Sequence, residues 1–240
     1  MNPQDTSCRC AILSSPMENN TVFLPVADAY DRWSAFYDSY PNPMVFAASL
    51  VLPRAFHPAA GLDVFEFGCG TGRNLEALRQ LGARNLAGCD LSLGMLAVAR
   101  ARNAGAVLLQ HDITQPLPLA PASYDAALFS LTLEHLPALA PPLRHAARIL
   151  RPGGRIVIIE IHPFLSAGGV AAHFDHHGEE VRMPTYPHQF AAWLNAFAEA
   201  GLRSTLCREW SPRSLGLPQP LANLKRGPDF PLAVEFHVAV

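Results

Sequence analysis

The stretch FEFGCGTGRN, residues 65–74, follows an apolar burst, leads into a helical pattern, and sets Gly68, Gly70 and Gly72 at alternate positions. Glycine at such spacing lets a chain turn sharply and brings backbone amides close to a ligand, because a Cβ there would clash or forbid the dihedrals. Asp90 lies 20 residues beyond Gly70 at the end of the next apolar run. A carboxylate so placed can accept both ribose hydroxyls of an adenosine. Counting G-x-G-x-x-G from Gly68 puts Arg73 where a third glycine belongs, which departs from the dinucleotide form. Glu66 stands just ahead of the turn, where its charge would repel a pyrophosphate but attract an ammonium. The expected ligand is therefore an adenosine with a cationic arm.

Other chemistry-bearing residues lie further along. His135, His162, His173, His176, His177 and His188 all fall in the later part of the chain, and histidine can hold or remove a proton near neutral pH. His162 follows a strand that ends at Glu160, on the carboxyl edge where open parallel sheets bind ligands, so His162 is the leading catalytic candidate and His135 the second. The HFDHH cluster crowds its histidines on an expected loop without regular spacing, and no metal site is assigned. Cys69 is read as a small residue packing beside the ligand, and Asp125 as a structural cap at a strand start.

These residues need a frame to position them. From Asp63 onward apolar bursts alternate with helical stretches: DVFEF, Thr71 to Leu81, NLAGCD, Leu93 to Arg102, AVLLQHD, YDAALFS, Leu139 to Leu150 and GGRIVIIE. Continuous apolar strands separated by helices imply a parallel sheet covered on both faces. A helix from His188 to Ala200, a strand LRSTLCREW and a terminal strand LAVEFHVAV complete the pattern. The expected fold is α/β, Rossmann-like and doubly wound. It has a mostly parallel seven-stranded sheet, an antiparallel last strand, helices on both faces and an N-terminal helical lid. Residues 1–20 are polar and read as a mobile extension, residues 21–60 as the lid, and residues 61–240 as the main domain. Within the last, about 161–187 reads as an irregular acceptor-side insertion.

Composition narrows the partners. The chain has 240 residues, half of them hydrophobic, with 18 Lys and Arg against 20 Asp and Glu. That balance offers no field to hold a phosphate backbone, so neither nucleic acid nor a membrane surface is expected as a partner. Five scattered cysteines suit a reducing compartment, and no stretch has the length of a bilayer span or a secretion signal. A cytoplasmic location follows as the expectation. Oligomeric state is not readable.

The loop E-F-G-C-G-T-G resembles motif I of class I S-adenosylmethionine-dependent methyltransferases, especially the type 11 group. CDLSLGML resembles the ribose segment, HDITQPLPL the adenine segment, YDAALFSLTLEHL the strand and loop beneath the reactive methyl, and LRPGGRIVIIE the turn and strand that follow. The match is strong over roughly 61–160. By this resemblance S-adenosylmethionine is the cofactor and S-adenosylhomocysteine the product. The implied contacts are Glu66, Gly68, Cys69, Gly70, Thr71 and Gly72 in the loop, Asp90 and Leu91 at the ribose, and Met95, Asp112 and Ile113 around the adenine. Ser130 and Leu131 would lie beneath the methyl. Family members often close an N-terminal tyrosine over the methionine end, and YDRWSAFYD offers Tyr30 and Tyr37 in two Y-D pairs. Both also fit as core aromatics.

The expected reaction is metal-independent in-line methyl transfer to an N or O atom of a small molecule. Methylation of a protein or peptide, or cofactor binding without catalysis, remain the alternatives. The segment SLTLEHL lacks the Asn/Asp/Ser-Pro-Pro-aromatic pattern of base-amine methylation. Ser130, Leu131 and Thr132 supply no magnesium cluster of the catechol-enzyme kind.

Overall fold

The computed structural model describes residues 20–217 and 226–240. The expected extension over 1–20 thus lies outside the described residues except for Asn20. In chain order the elements are β1 (Asn20–Phe23), α1 (Val26–Trp33), α2 (Pro43–Ala55), β2 (Asp63–Phe67), α3 (Arg73–Gln80), β3 (Asn85–Asp90), α4 (Leu93–Arg102) and β4 (Val107–Gln110). There follow β5 (Tyr124–Ser130), α5 (Ala140–Ile149), β6 (Leu150–Ile161), α6 (Pro163–Ala167), β7 (His173–His176) and β8 (Glu179–Arg182). The chain ends with α7 (Phe190–Glu199), β9 (Arg203–Trp210), α8 (Pro212–Leu215) and β10 (Ala233–Ala239).

Seven strands form one sheet in the order β4-β3-β2-β5-β6-β10-β9. Neighbours from β4 to β6 run parallel, whereas β10 is antiparallel to both β6 and β9. The doubly wound sheet with its antiparallel last strand is as the sequence pattern leads one to expect. Alternation along the strands sends Phe65, Phe67, Phe129, Ile156 and Ile158 to one face, under Leu143 and Ile149 of α5 and Trp193 and Phe197 of α7. Val64, Leu128, Val157 and Ile159 go to the other, under Val51, Leu52 and Ala55 of α2 and Leu78 of α3. Each face is sealed by apolar side chains, which is what forces the near-continuous apolar strands.

Two departures concern the flanking segments. First, α2 is a layer of the main core; its start is fixed by Asn42, whose side chain accepts from the backbone N–H groups of Met44 and Val45, with Pro43 at the first helical position. Second, residues 161–187 are not irregular: they contain α6 and a β7–β8 hairpin that joins β1 in a separate three-stranded sheet. Phe174 and Val181 face each other across that hairpin and pack on Ala29 and Trp33 of α1 and Met95 of α4. The hairpin turns at His177 and Gly178, both with positive φ of 51° and 82°, the geometry of a tight two-residue connection.

Candidate active site

The glycine loop joins β2 to α3 and adopts left-handed backbone at each glycine, with φ of 70°, 52° and 74° at Gly68, Gly70 and Gly72. A Cβ on Gly68 would fall 2.4 Å from Thr132 Cγ2, and one on Gly72 would fall 2.4 Å from Asn103 Nδ2. Gly70 differs, since nothing lies within 4 Å of the Cβ position. Its open side faces the groove.

Two carboxylates frame that groove. Asp90, at the end of β3, accepts from Gly70 N at 2.7 Å through Oδ2 and from Ser92 N at 2.9 Å through Oδ1. Burial pushes its pKa up and these amide bonds pull it back, leaving lone pairs free for further donors. Glu66 points to the α2 face, is fully buried, and accepts from Asn74 Nδ2 at 2.7 Å through Oε1. Its Oε2 has no partner, and burial raises its pKa to about 8. An unpaired buried carboxylate oxygen is costly unless a donor reaches it.

Two clefts run from the loop. One, of about 250 Å³, is lined by Gly68, Gly70, Asp90, Leu91, Met95, Asp112, Ile113, Ser130 and Leu131, with Tyr30 and His135 at its side. The other, of about 200 Å³, is lined by Glu66, Gly68, Cys69, Gly70, Thr71, Ser130, Leu131 and Tyr37. The sequence-derived cofactor residues thus gather in two adjoining spaces, apart from Gly72, which backs the loop and accepts from Asn103 Nδ2 at 2.9 Å. Burial pushes the Cys69 thiol far up, consistent with packing and not with nucleophilic chemistry. Both Y-D pairs are used alike. Each tyrosine lines the clefts, and each aspartate fastens the segment down: Asp31 accepts from Ser92 Oγ at 2.5 Å and Gly94 N at 2.8 Å, and Asp38 from Thr71 Oγ1 at 2.8 Å and Arg102 Nη2 at 2.6 Å.

A third cavity, of about 400 Å³, adjoins these and is bordered by Tyr30, Trp33, Tyr37, Tyr40, Leu131, Glu134, Leu165, Ala172, Arg226 and Phe230. Sequence reasoning did not single out Glu134, whose only signal was its place beside His135. Burial, with Glu160 nearby, lifts the Glu134 pKa to about 8. Glu160 itself, raised to about 7 by burial, accepts from the amides of Thr132 and Leu133 and so fixes the turn that carries Glu134 and His135.

His162 requires a correction. It is completely buried, lines none of these spaces, receives the Phe164 amide on Nδ1 as the cap of α6, and has Nε2 2.9 Å from Glu209 Oε1. It lies just past the end of β6 as the cap of α6, so it holds the α6 corner and is not part of the cavity's lining. His188 is likewise engaged, 2.8 Å from the Leu136 carbonyl. Asp125 accepts from Asp63 N and Arg151 at the opposite edge of the sheet, a structural place. Among the described residues no three His, Cys, Asp or Glu side chains converge as a metal site would need, and no helix is long and apolar enough to cross a membrane.

Residues 65–158 match the methyltransferase domain family of type 11. Over that stretch the chain is similar to a methyltransferase domain. Solved structures of similar fold include S-adenosylmethionine-dependent methyltransferases. The domain is 34% identical over 154 residues to a demethylmenaquinone methyltransferase of Clavibacter sepedonicus, covering 63% of this chain and 61% of the relative. It is 37% identical over 132 residues to a malonyl-[acyl-carrier protein] O-methyltransferase of Pectobacterium atrosepticum, covering 55% and 51%. Both matches therefore span less than two thirds of those relatives. In fold it is similar to an S-adenosylmethionine-dependent methyltransferase of Mesorhizobium loti, with a TM-score of 0.64 and 23% identity over 80% of this chain and 97% of that one.

Proposed function

We propose that the chain transfers a methyl group from S-adenosylmethionine to an N or O atom of a small molecule held in the 400 Å³ cavity. The observation that carries this is the pair of clefts meeting at the glycine loop, with Asp90 on one and the unpartnered Glu66 Oε2 on the other. That donor set suits a ligand with ribose hydroxyls at one end and an ammonium at the other, and the Arg73 that borders the second cleft is already paired with Asp38 at 3.7 Å. Asp90 would take the ribose, Met95 and Ile113 the flat adenine, Asp112 its exocyclic amine, and Glu66 the ammonium. When bound, the cofactor supplies an electrophilic methyl at a sulfonium, beside Ser130 and Leu131. Tyr30 and Tyr37 border both that place and the cavity, so they can align an acceptor and keep water away. The size of the cavity, about 400 Å³, supports a small-molecule acceptor.

Calorimetric titration tests the reading. The protein is expected to bind S-adenosylhomocysteine with micromolar-range affinity and NAD far more weakly. Comparable or tighter NAD binding overturns it.

A further inference from the structure

Tyr30 stands between the cavity and the cleft that ends at Asp90, and its hydroxyl lies 2.8 Å from His135 Nε2. His135 Nδ1 is 2.9 Å from the Pro184 carbonyl oxygen. A carbonyl can only accept, so Nδ1 carries the proton and Nε2 presents its lone pair. Tyr30 therefore donates to His135 and keeps its own oxygen lone pairs for a molecule in the cavity. Burial holds His135 below its ordinary pKa and Tyr30 well above its own, so the pair rests as neutral phenol on neutral imidazole. The other ionisable groups facing Tyr30 are Tyr37, Glu134, Glu160 and Asp90. Glu134 also borders the cavity, its pKa raised to about 8 by burial. Trp33, Tyr37, Tyr40 and Phe230 supply flat apolar walls.

We propose that Tyr30 and His135 are the proton-accepting pair for the methyl acceptor, and that the cavity takes a flat, largely apolar molecule bearing a hydroxyl, chemically a phenol. This rests on the methyltransferase reading. The acceptor O–H bond breaks as its proton passes to Tyr30 Oη, while the proton of Tyr30 moves to His135 Nε2. His135 becomes an imidazolium held at Nδ1 by Pro184. The electron pair left on the acceptor oxygen forms the new bond to carbon, and the carbon–sulfur pair returns to sulfur.

The test uses 4-nitrophenol, whose phenolate is coloured and whose phenol is not, titrated into full-length protein saturated with S-adenosylhomocysteine. Wild-type protein is expected to bind the probe saturably and ionise it below its pKa in free solution. H135Q, at saturating S-adenosylhomocysteine, should still bind the probe but raise the apparent pKa of bound probe by about one unit, tenfold in ionisation. Y30F breaks the same relay with little change in packing, so it decides the matter if H135Q does not fold. Equal ionisation in wild type and variants, or no saturable probe binding, overturns the proposal. Failure of wild-type protein to bind S-adenosylhomocysteine would instead remove the methyltransferase reading beneath it.

Discussion

Glu66 shows how much one alternation can decide. Its neighbours Phe65 and Phe67 point under α5 and α7, so the carboxyl must point the other way, into the space below α2, where water is scarce and only Asn74 reaches it. In the ligand-free protein it is protonated up to about pH 8. An ammonium brought beside it favours the ionised form, so binding releases a proton. Affinity for S-adenosylhomocysteine is expected to climb as pH rises from neutrality toward 8 and then level off, whereas E66Q should bind more weakly and show no such slope. Calorimetry in buffers of different protonation enthalpy reads the released proton directly. Asp90 offers a separate check. D90A should cost about 1.5–3 kcal/mol of cofactor binding, the range for hydrogen bonds to a charged group. A folded D90A protein with unchanged affinity would mean the ribose is held elsewhere.

The small sheet of β1, β8 and β7 is anchored by Phe174 and Val181 against α1 and α4 and shares no strand with the main sheet. Truncation of Phe174 to alanine is expected to cost about 3–5 kcal/mol locally. In hydrogen exchange, residues 20–40 and 173–183 should lose protection together, while β2, β5 and β6 keep theirs. Uniform loss across the chain would show that the cap and the main sheet unfold as one unit. This cap is also where the sequence was hardest to read. Strands such as DVFEF and YDAALFS announce themselves because both faces are buried. That the residues around the glycine loop would gather about one groove was legible because a glycine loop and a carboxylate 20 residues on have few other uses. The β7–β8 hairpin offers only four residues a side, with one buried position in each, and its turn is His177-Gly178 in place of the more telling Asn-Gly. His162 was misjudged for a related reason. Its position past the strand end was right, but which side it faced depends on β10 and α6 packing around it, and spacing does not encode that.

Stability should track the buried acids of the whole molecule. Glu66, Glu134 and Glu160 have folded pKa values of about 8, 8 and 7 against an ordinary value of 4.5. Their protonated forms stabilise the fold, a contribution fully present below 4.5 and lost as pH rises through 7 to 8. Asp63, held low by Arg84, Asn85 and Arg151, and Asp125, held low by the Asp63 backbone N–H and Arg151, act in the opposite sense, stabilising above the ordinary carboxylate range and failing on acidification. The ligand-free protein is thus expected to have its highest Tm in mildly acidic buffer and a falling Tm on the alkaline side of neutrality. E134Q should flatten the alkaline fall, and scanning calorimetry across pH would expose a level profile if the acids are not as enclosed as described. The two aspartate fastenings of the N-terminal segment carry a kinetic consequence. Asp38 bridges to Arg102 and Asp31 to Ser92. A nucleoside leaving the groove must wait for both to part. Asp38 and Arg102 are partly open to solvent, so their attraction is screened by salt. Residence time of S-adenosylhomocysteine should therefore shorten as ionic strength rises, and in D38N it should be short already and indifferent to salt.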